Sequence, residues 1–205
     1  MPTENEAPAT YLSKDRIAAL GDGVFAIAIT VLALELTQLV TEDRTLSALW
    51  TELRPRLLAY VLSSMILALF WVAHQIALSS AERTDRRHAL LNVAFLVVVA
   101  AIPVPAALIG THPDVPGAFA VYGAVLTLSA VLLSLASWYA PRPAGQSPRD
   151  DAASRALRRR LRWAIAGYAL SVSLAFLAPP LGLAAFFLSH ATLAVLPVRR
   201  GRLTS

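Results

Sequence analysis

The chain has 205 residues, of which 57% are hydrophobic and 15% charged, with a formal net charge of +5 and no cysteine. Its apolar runs are long enough to cross a hydrocarbon core of about 30 Å at about 1.5 Å per residue, which makes it an integral membrane protein rather than a soluble domain. The absence of cysteine excludes disulfides, thiolate metal sites and thiol catalysis.

The first ten residues, MPTENEAPAT, are acidic and polar where a secretory signal would be basic, so the apolar run behind them is expected to be retained as a first span, about residues 17–39. This span begins RIAALGDGVFAIAITVLALEL, with an arginine, an aspartate and two glycines inside an otherwise apolar helix. Charge at bilayer depth is costly and marks a pathway or a helix contact rather than an anchor.

Stepping about 100° per residue from Ile27, Val31 falls at about +40°, Thr30 at −60°, Leu34 at −20° and Gln38 at +20°, so one face reads Gly23, Ile27, Thr30, Val31, Leu34, Gln38. Spacing alone makes this a helix-packing stripe. Read as a pore wall, it predicts a hydrophobic constriction with a hydroxyl layer beside it. Asp22 falls about 140° from Ile27 and roughly 9 Å deeper than Arg16. A carboxylate there needs donors, and Arg16, Trp71, His74, Gln75 and Asn92 are the candidates. Arg16 and Asp22 differ by about 120° on the wheel, so donors from other helices are favoured. Glu35, near the outer end, reads equally as a cation attractor at a pore mouth or as an interfacial charge.

The second span is expected at 57–78, the third at 89–109 and the fourth at 118–140. Residues 141–160 read as a cytoplasmic linker rich in Pro, Gly, Ser and charge, which runs into the arginine cluster Arg158–Arg162. These arginines adjoin a span and lack interleaved aromatics, so anionic lipid headgroups rather than nucleic acid are the expected contact. The apolar stretch 161–196 is interrupted at Pro179-Pro180, which gives two short spans, 161–178 and 181–196, with a re-entrant hairpin as the competing reading.

Under six spans, fifteen of the 18 lysines and arginines fall on one side, leaving Arg44, Arg54 and Arg56 on the other. The positive-inside bias then places both termini in the cytoplasm of a multi-pass protein of the cell membrane. His74, His88, His112 and His190 form no metal-ligating spacing, and no nucleophile elbow, phosphate loop or dinucleotide fingerprint occurs, so neither an enzyme nor a cofactor is expected.

The run Arg16-x-x-x-Leu20-Gly21-Asp22-Gly23-Val24-Phe25-Ala26-Ile27-Ala28-Ile29-Thr30 resembles the first-helix signature, arginine, three residues, Phe-Ser-Asp, of the lysosomal potassium-channel family transmembrane protein 175, in its prokaryotic branch. Trp71-Val72-Ala73-His74, Leu91-Asn92 and Ile102-Pro103-Val104-Pro105 are similar to further family segments. Leu20 and Gly21 depart from the family's phenylalanine and serine. The resemblance implies an all-α integral membrane protein with six transmembrane helices per subunit, assembled as a homotetramer whose first helices line a central pore. It implies permeant K+, with no Thr-Val-Gly-Tyr-Gly carbonyl filter, which this chain lacks. By motif position Ile27 is the constriction, Val31 and Leu34 are further apolar layers and Thr30 is the hydroxyl layer tied to selectivity. Arg16, Asp22, His74 and Asn92 belong to a polar network that holds the first helix. The alternative is a cation-coupled secondary transporter, which draws on Asp22, Glu35 and the proline-broken helices but lacks the inverted repeats of that class.

Overall fold

In hydrocarbon every backbone amide must find its partner inside the protein, and apolar segments therefore resolve into helices. The structure is a computed structural model that describes residues 13–37, 45–141, 152–178, 181–182, 184–186 and 188–189. Its helices are α1 (Lys14–Thr37), α2 (Leu46–Ser79), α3 (Arg86–Ala100), α4 (Pro103–Thr111), α5 (Pro116–Tyr139) and α6 (Ala152–Leu177). By length and composition α1, α2, the pair α3–α4 and α5 can each cross a membrane.

Three boundaries differ from the sequence expectation. Helix α2 starts at Leu46, well before residue 57, because Thr45 caps it by accepting from the Ala48 amide at 3.4 Å. Pro55 lies inside this 34-residue helix and removes only one of its backbone bonds. The third span, expected at 89–109, is broken at Ala101-Ile102, where the amides turn back to Val98 and Val99 in tight 3₁₀ fashion before Pro103 opens α4. Residues 152–160, expected as linker, form the first turns of α6. Their alanines, leucine and arginines are good helix formers, and Leu157 and Leu161 are both buried one turn apart.

Helix α1 rests on α2 and on α3–α4, α5 also packs on α3–α4, and α6 lies chiefly along α5. Small residues set the closest approaches: a side chain at Gly123 of α5 would collide with Val172 of α6. Past α6 the chain returns beside it, since Gly182 abuts Ala175 while Ser189 abuts Gly167. Buried Phe186 on this return fills a cluster with Phe119, Tyr122 and Tyr168. Pro179, Pro180 and residues 190–196 of the expected sixth span lie outside the described residues.

The end of the bundle that holds the N-terminus of α1 is knitted by side chains. Lys14 Nζ donates to the Ala81 carbonyl at 2.9 Å, and the Glu82 amide donates to the Pro141 carbonyl at 3.0 Å. Asp85 caps α3 by accepting from the His88 amide at 2.7 Å, and it also accepts from the Tyr139 hydroxyl at 2.7 Å. Partial burial pushes the Asp85 carboxyl upward, but these two donors stabilise the carboxylate by more, and its pKa lies below the usual range. A depressed pKa contributes stability that is present above the ordinary carboxylate value and is lost as pH falls through the folded one. Melting of the purified chain should therefore fall more steeply below about pH 4 than melting of Asp85→Asn. Parallel acid profiles would contradict this.

Deeper in the bundle, Ser63 Oγ and the Tyr122 hydroxyl share a buried hydrogen bond of 2.7 Å between α2 and α5. Tyr122→Phe should cost about 1 kcal/mol by stranding the serine, and adding Ser63→Ala should recover part of the loss. Equal melting of the tyrosine variant and the parent would show that the bond contributes nothing.

Candidate pore face and the polar latch behind it

Alternation of small and large apolar residues gives α1 two distinct faces. Ile17, Gly21, Phe25, Ala28 and Leu32 are buried against the bundle. Opposite them Ile27 is 65% exposed, Leu34 58% and Val31 40%, and Gly23 and Thr30 are exposed with them. Thr30 Oγ1 donates to the Ile27 carbonyl at 2.8 Å, which directs its oxygen lone pairs away from the helix. Gln38 lies outside the described residues. Glu35, near the C-terminal end of α1, lines a small recess with Arg56, Tyr60 and Thr111.

The rotation of α1 is held by its neighbours. Asp22 Oδ1 accepts from Trp71 Nε1 at 2.7 Å and from Gln75 Nε2 at 3.0 Å, two donors one turn apart on α2. Bonds to a carboxylate are shorter and stronger than neutral ones, and two on one oxygen fix the helix in both height and rotation. On the inner side of the same turn of α2, fully buried His74 meets Asn92 of α3 through Nε2 and Oδ1 at 3.1 Å. Asn92 spends its amide on the His88 carbonyl at 2.8 Å, so its oxygen is the acceptor and His74 carries the proton on Nε2. The imidazole is walled by Phe25 and Phe95, with ring centroids 6.3 and 5.3 Å away.

The expected network of Arg16, Asp22, His74 and Asn92 is thus arranged as separate contacts. His74 and Asn92 are joined, Asp22 is held by Trp71 and Gln75, and exposed Arg16 makes no hydrogen bond or ion pair with a described residue. What sequence reasoning missed is the role of Gly21. A Cβ there would stand 2.9 Å from His74 Cε1, so the histidine occupies the space that a side chain at position 21 would need. The one available signal was the glycine standing where the resembling family has serine. Among the described residues, no group of three or more His, Cys, Asp or Glu side chains gathers to hold a metal.

The fold and the two-faced first helix define a helical membrane protein with, by length and composition, four membrane-capable helices among the described residues. Comparison with known proteins specifies it. The family described as endosomal/lysosomal potassium channel TMEM175 matches residues 16–103, from Arg16 through α1, α2 and α3. The chain is similar to a potassium channel of Streptomyces collinus, 39% identical over 179 residues that cover 83% of this chain and 86% of that one. It is also similar to the crystal structure of a lysosomal potassium-selective channel TMEM175 homolog from Chamaesiphon minutus, with a TM-score of 0.71 and 26% identity over 88% of this chain and 96% of that one. The human endosomal/lysosomal proton channel TMEM175 is 28% identical over 149 residues, which cover 71% of this chain and 30% of the human protein. The chain belongs to the TMEM175 family, as a prokaryotic-type member. This is a family of ion channels, not of enzymes.

Removing the latch should be measurable. Asp22→Leu should lower stability by about 2 kcal/mol because it abandons both donors, whereas Asp22→Asn keeps an acceptor oxygen and should lose less. Gly21→Ala should destabilise by about 1–3 kcal/mol through overpacking against His74. Gly23→Ala, with nothing within 4 Å of its new methyl, should leave the subunit's own packing intact. Thermal melting in detergent reads all four; equal losses at positions 21 and 23 would remove the His74 contact as the cause.

Proposed function

We propose that this chain is the subunit of a potassium-selective cation channel, a homotetramer in which four copies of α1 surround the conduction path. The observation that carries the reading is the exposed stripe Ile27, Thr30, Val31 and Leu34 on a helix whose other face is buried. In a family of potassium channels, an unpartnered apolar stripe carrying a hydroxyl is where copies would meet. Ile27 is the narrowest layer, Val31 and Leu34 add apolar rings, and Gln38 continues the same wheel position outward.

Such a path works without a carbonyl cage. Four isoleucine side chains at an axis exclude a hydrated cation by dewetting, so opening needs a rotamer change or a small movement of α1 that lets water in. Thr30, one turn from Ile27, turns its lone pairs toward the path and can replace part of the hydration of K+ once the ring is wet. Asp22, with His74 and Asn92 behind it, sets the height and rotation of α1 and does not touch the ion, whereas Arg16, bonded to no described residue, is not one of these supports. K+ is the permeant ion and no cofactor takes part. The subunit crosses the cell membrane six times with both termini in the cytoplasm, α6 and the return segment supplying the last two crossings. The Arg158–Arg162 cluster meets anionic headgroups at the cytoplasmic interface.

In planar bilayers Ile27→Asn should raise conductance by removing the dewetting barrier, and Thr30→Ala should lower the preference for potassium over sodium. Currents unchanged by both substitutions would remove the path from this face. A cation-coupled transporter would instead give saturating, stoichiometrically coupled flux without unitary currents.

A further inference from the structure

An open groove of about 160 Å³ runs between α2 and α6, and no residue of α1 lines it. Its walls are apolar, built by Ile66, Phe70 and Ile76 on α2 and by Leu157 and Leu161 on α6, and one charged side chain, Arg160, lines it. Helix α6 carries Arg155, Arg158, Arg159, Arg160 and Arg162 in its first three turns and no acidic residue along its length. So basic a helix segment attracts anionic headgroups. Exposed Trp163 follows directly, a residue type that collects at the membrane–water boundary.

We propose that this groove is a binding site for one anionic phospholipid, its acyl chain lying between α2 and α6 and its phosphate held by Arg160. The apolar walls fit a hydrocarbon chain, and Arg160 at the rim favours a headgroup of net negative charge. The position on the α6 flank, apart from the face of α1 assigned to subunit contacts, leaves the groove open to the bilayer. A diffuse basic patch attracts any anionic lipid to the surface; the groove adds a defined place for one molecule. This rests on the reading above that α6 crosses the membrane with its arginine end in the cytoplasm.

The test is native mass spectrometry of the full chain, purified and then offered phosphatidylglycerol and phosphatidylcholine in equal amounts. The parent should retain phosphatidylglycerol preferentially. Arg160→Gln should reduce that retention by about fivefold, the worth of one basic residue at a charged surface. Ala156→Phe should fill the groove and reduce retention at least as much, with Ala153→Trp, at an exposed groove position, as a second filling variant should the first fail to assemble. Arg159→Gln, which does not line the groove, should lose much less than Arg160→Gln. Equal losses in both arginine variants with full retention in the filled variants would mean surface attraction only and would overturn the site, as would no headgroup preference in the parent. Potassium flux in liposomes of the same preparations separates the two readings. Flux without selective lipid retention sinks the groove and leaves the channel, and retention without flux does the reverse.

Discussion

A carboxylate inside an apolar helix cannot be left without donors, and the way Asp22 meets that demand organises the rest of the molecule. Trp71 and Gln75 reach it from one turn of α2 and hold α1 at a fixed height and rotation. Because successive residues turn by about 100°, fixing Asp22 also fixes every position above it. Phe25, Ala28 and Leu32 are committed to the bundle, and Ile27, Thr30, Val31 and Leu34 face away from it. The same turn of α2 delivers His74 to Asn92 on its inner side, so α1, α2 and α3 are tied together at one level.

Placing the polar groups behind the helix rather than on its outward face has a functional consequence. On the proposed reading of the Ile27 face as the path, a ring of charge there would bind a cation tightly, whereas an apolar ring bars it until water enters, and the Thr30 hydroxyl is then a weak ligand. Along α6 the returning chain buries Phe186 among Phe119, Tyr122 and Tyr168, a cluster continuous with the core that Phe25, Ala28 and Leu32 of α1 join.

Much of this was legible in the sequence because hydrocarbon leaves few options. The apolar runs at 17–39 and 118–140 overlap α1 (Lys14–Thr37) and α5 (Pro116–Tyr139), and one wheel separates Ile27, Val31 and Leu34 from the buried side of α1. Local charge and proline misled where tertiary context decided the outcome. Glu52, Arg54, Pro55 and Arg56 look like an interruption, yet the Thr45 cap and a long run of helical bonds carry α2 through them. Pro103 and Pro105 were visible, but the 3₁₀ turn at Ala101-Ile102 depends on which carbonyls remain to be satisfied. Pairing was the least readable level. Trp71 and Gln75 were candidates among several for Asp22, and only the approach of α2 to α1 selects them. Gly21 matters through the His74 ring that fills its place, a contact between residues 53 positions apart that no local pattern encodes.

The central claim is that Ile27 faces its own copies around an ion path. The chain has no cysteine, so Ile27→Cys introduces a thiol at that layer alone. Cadmium, a soft divalent cation that thiolates bind together, should block potassium current through this variant, and should not block the parent or Leu128→Cys on the exposed surface of α5. Potassium current through Ile27→Cys that is indifferent to cadmium, while the Leu128→Cys control behaves in the same way, would contradict the account.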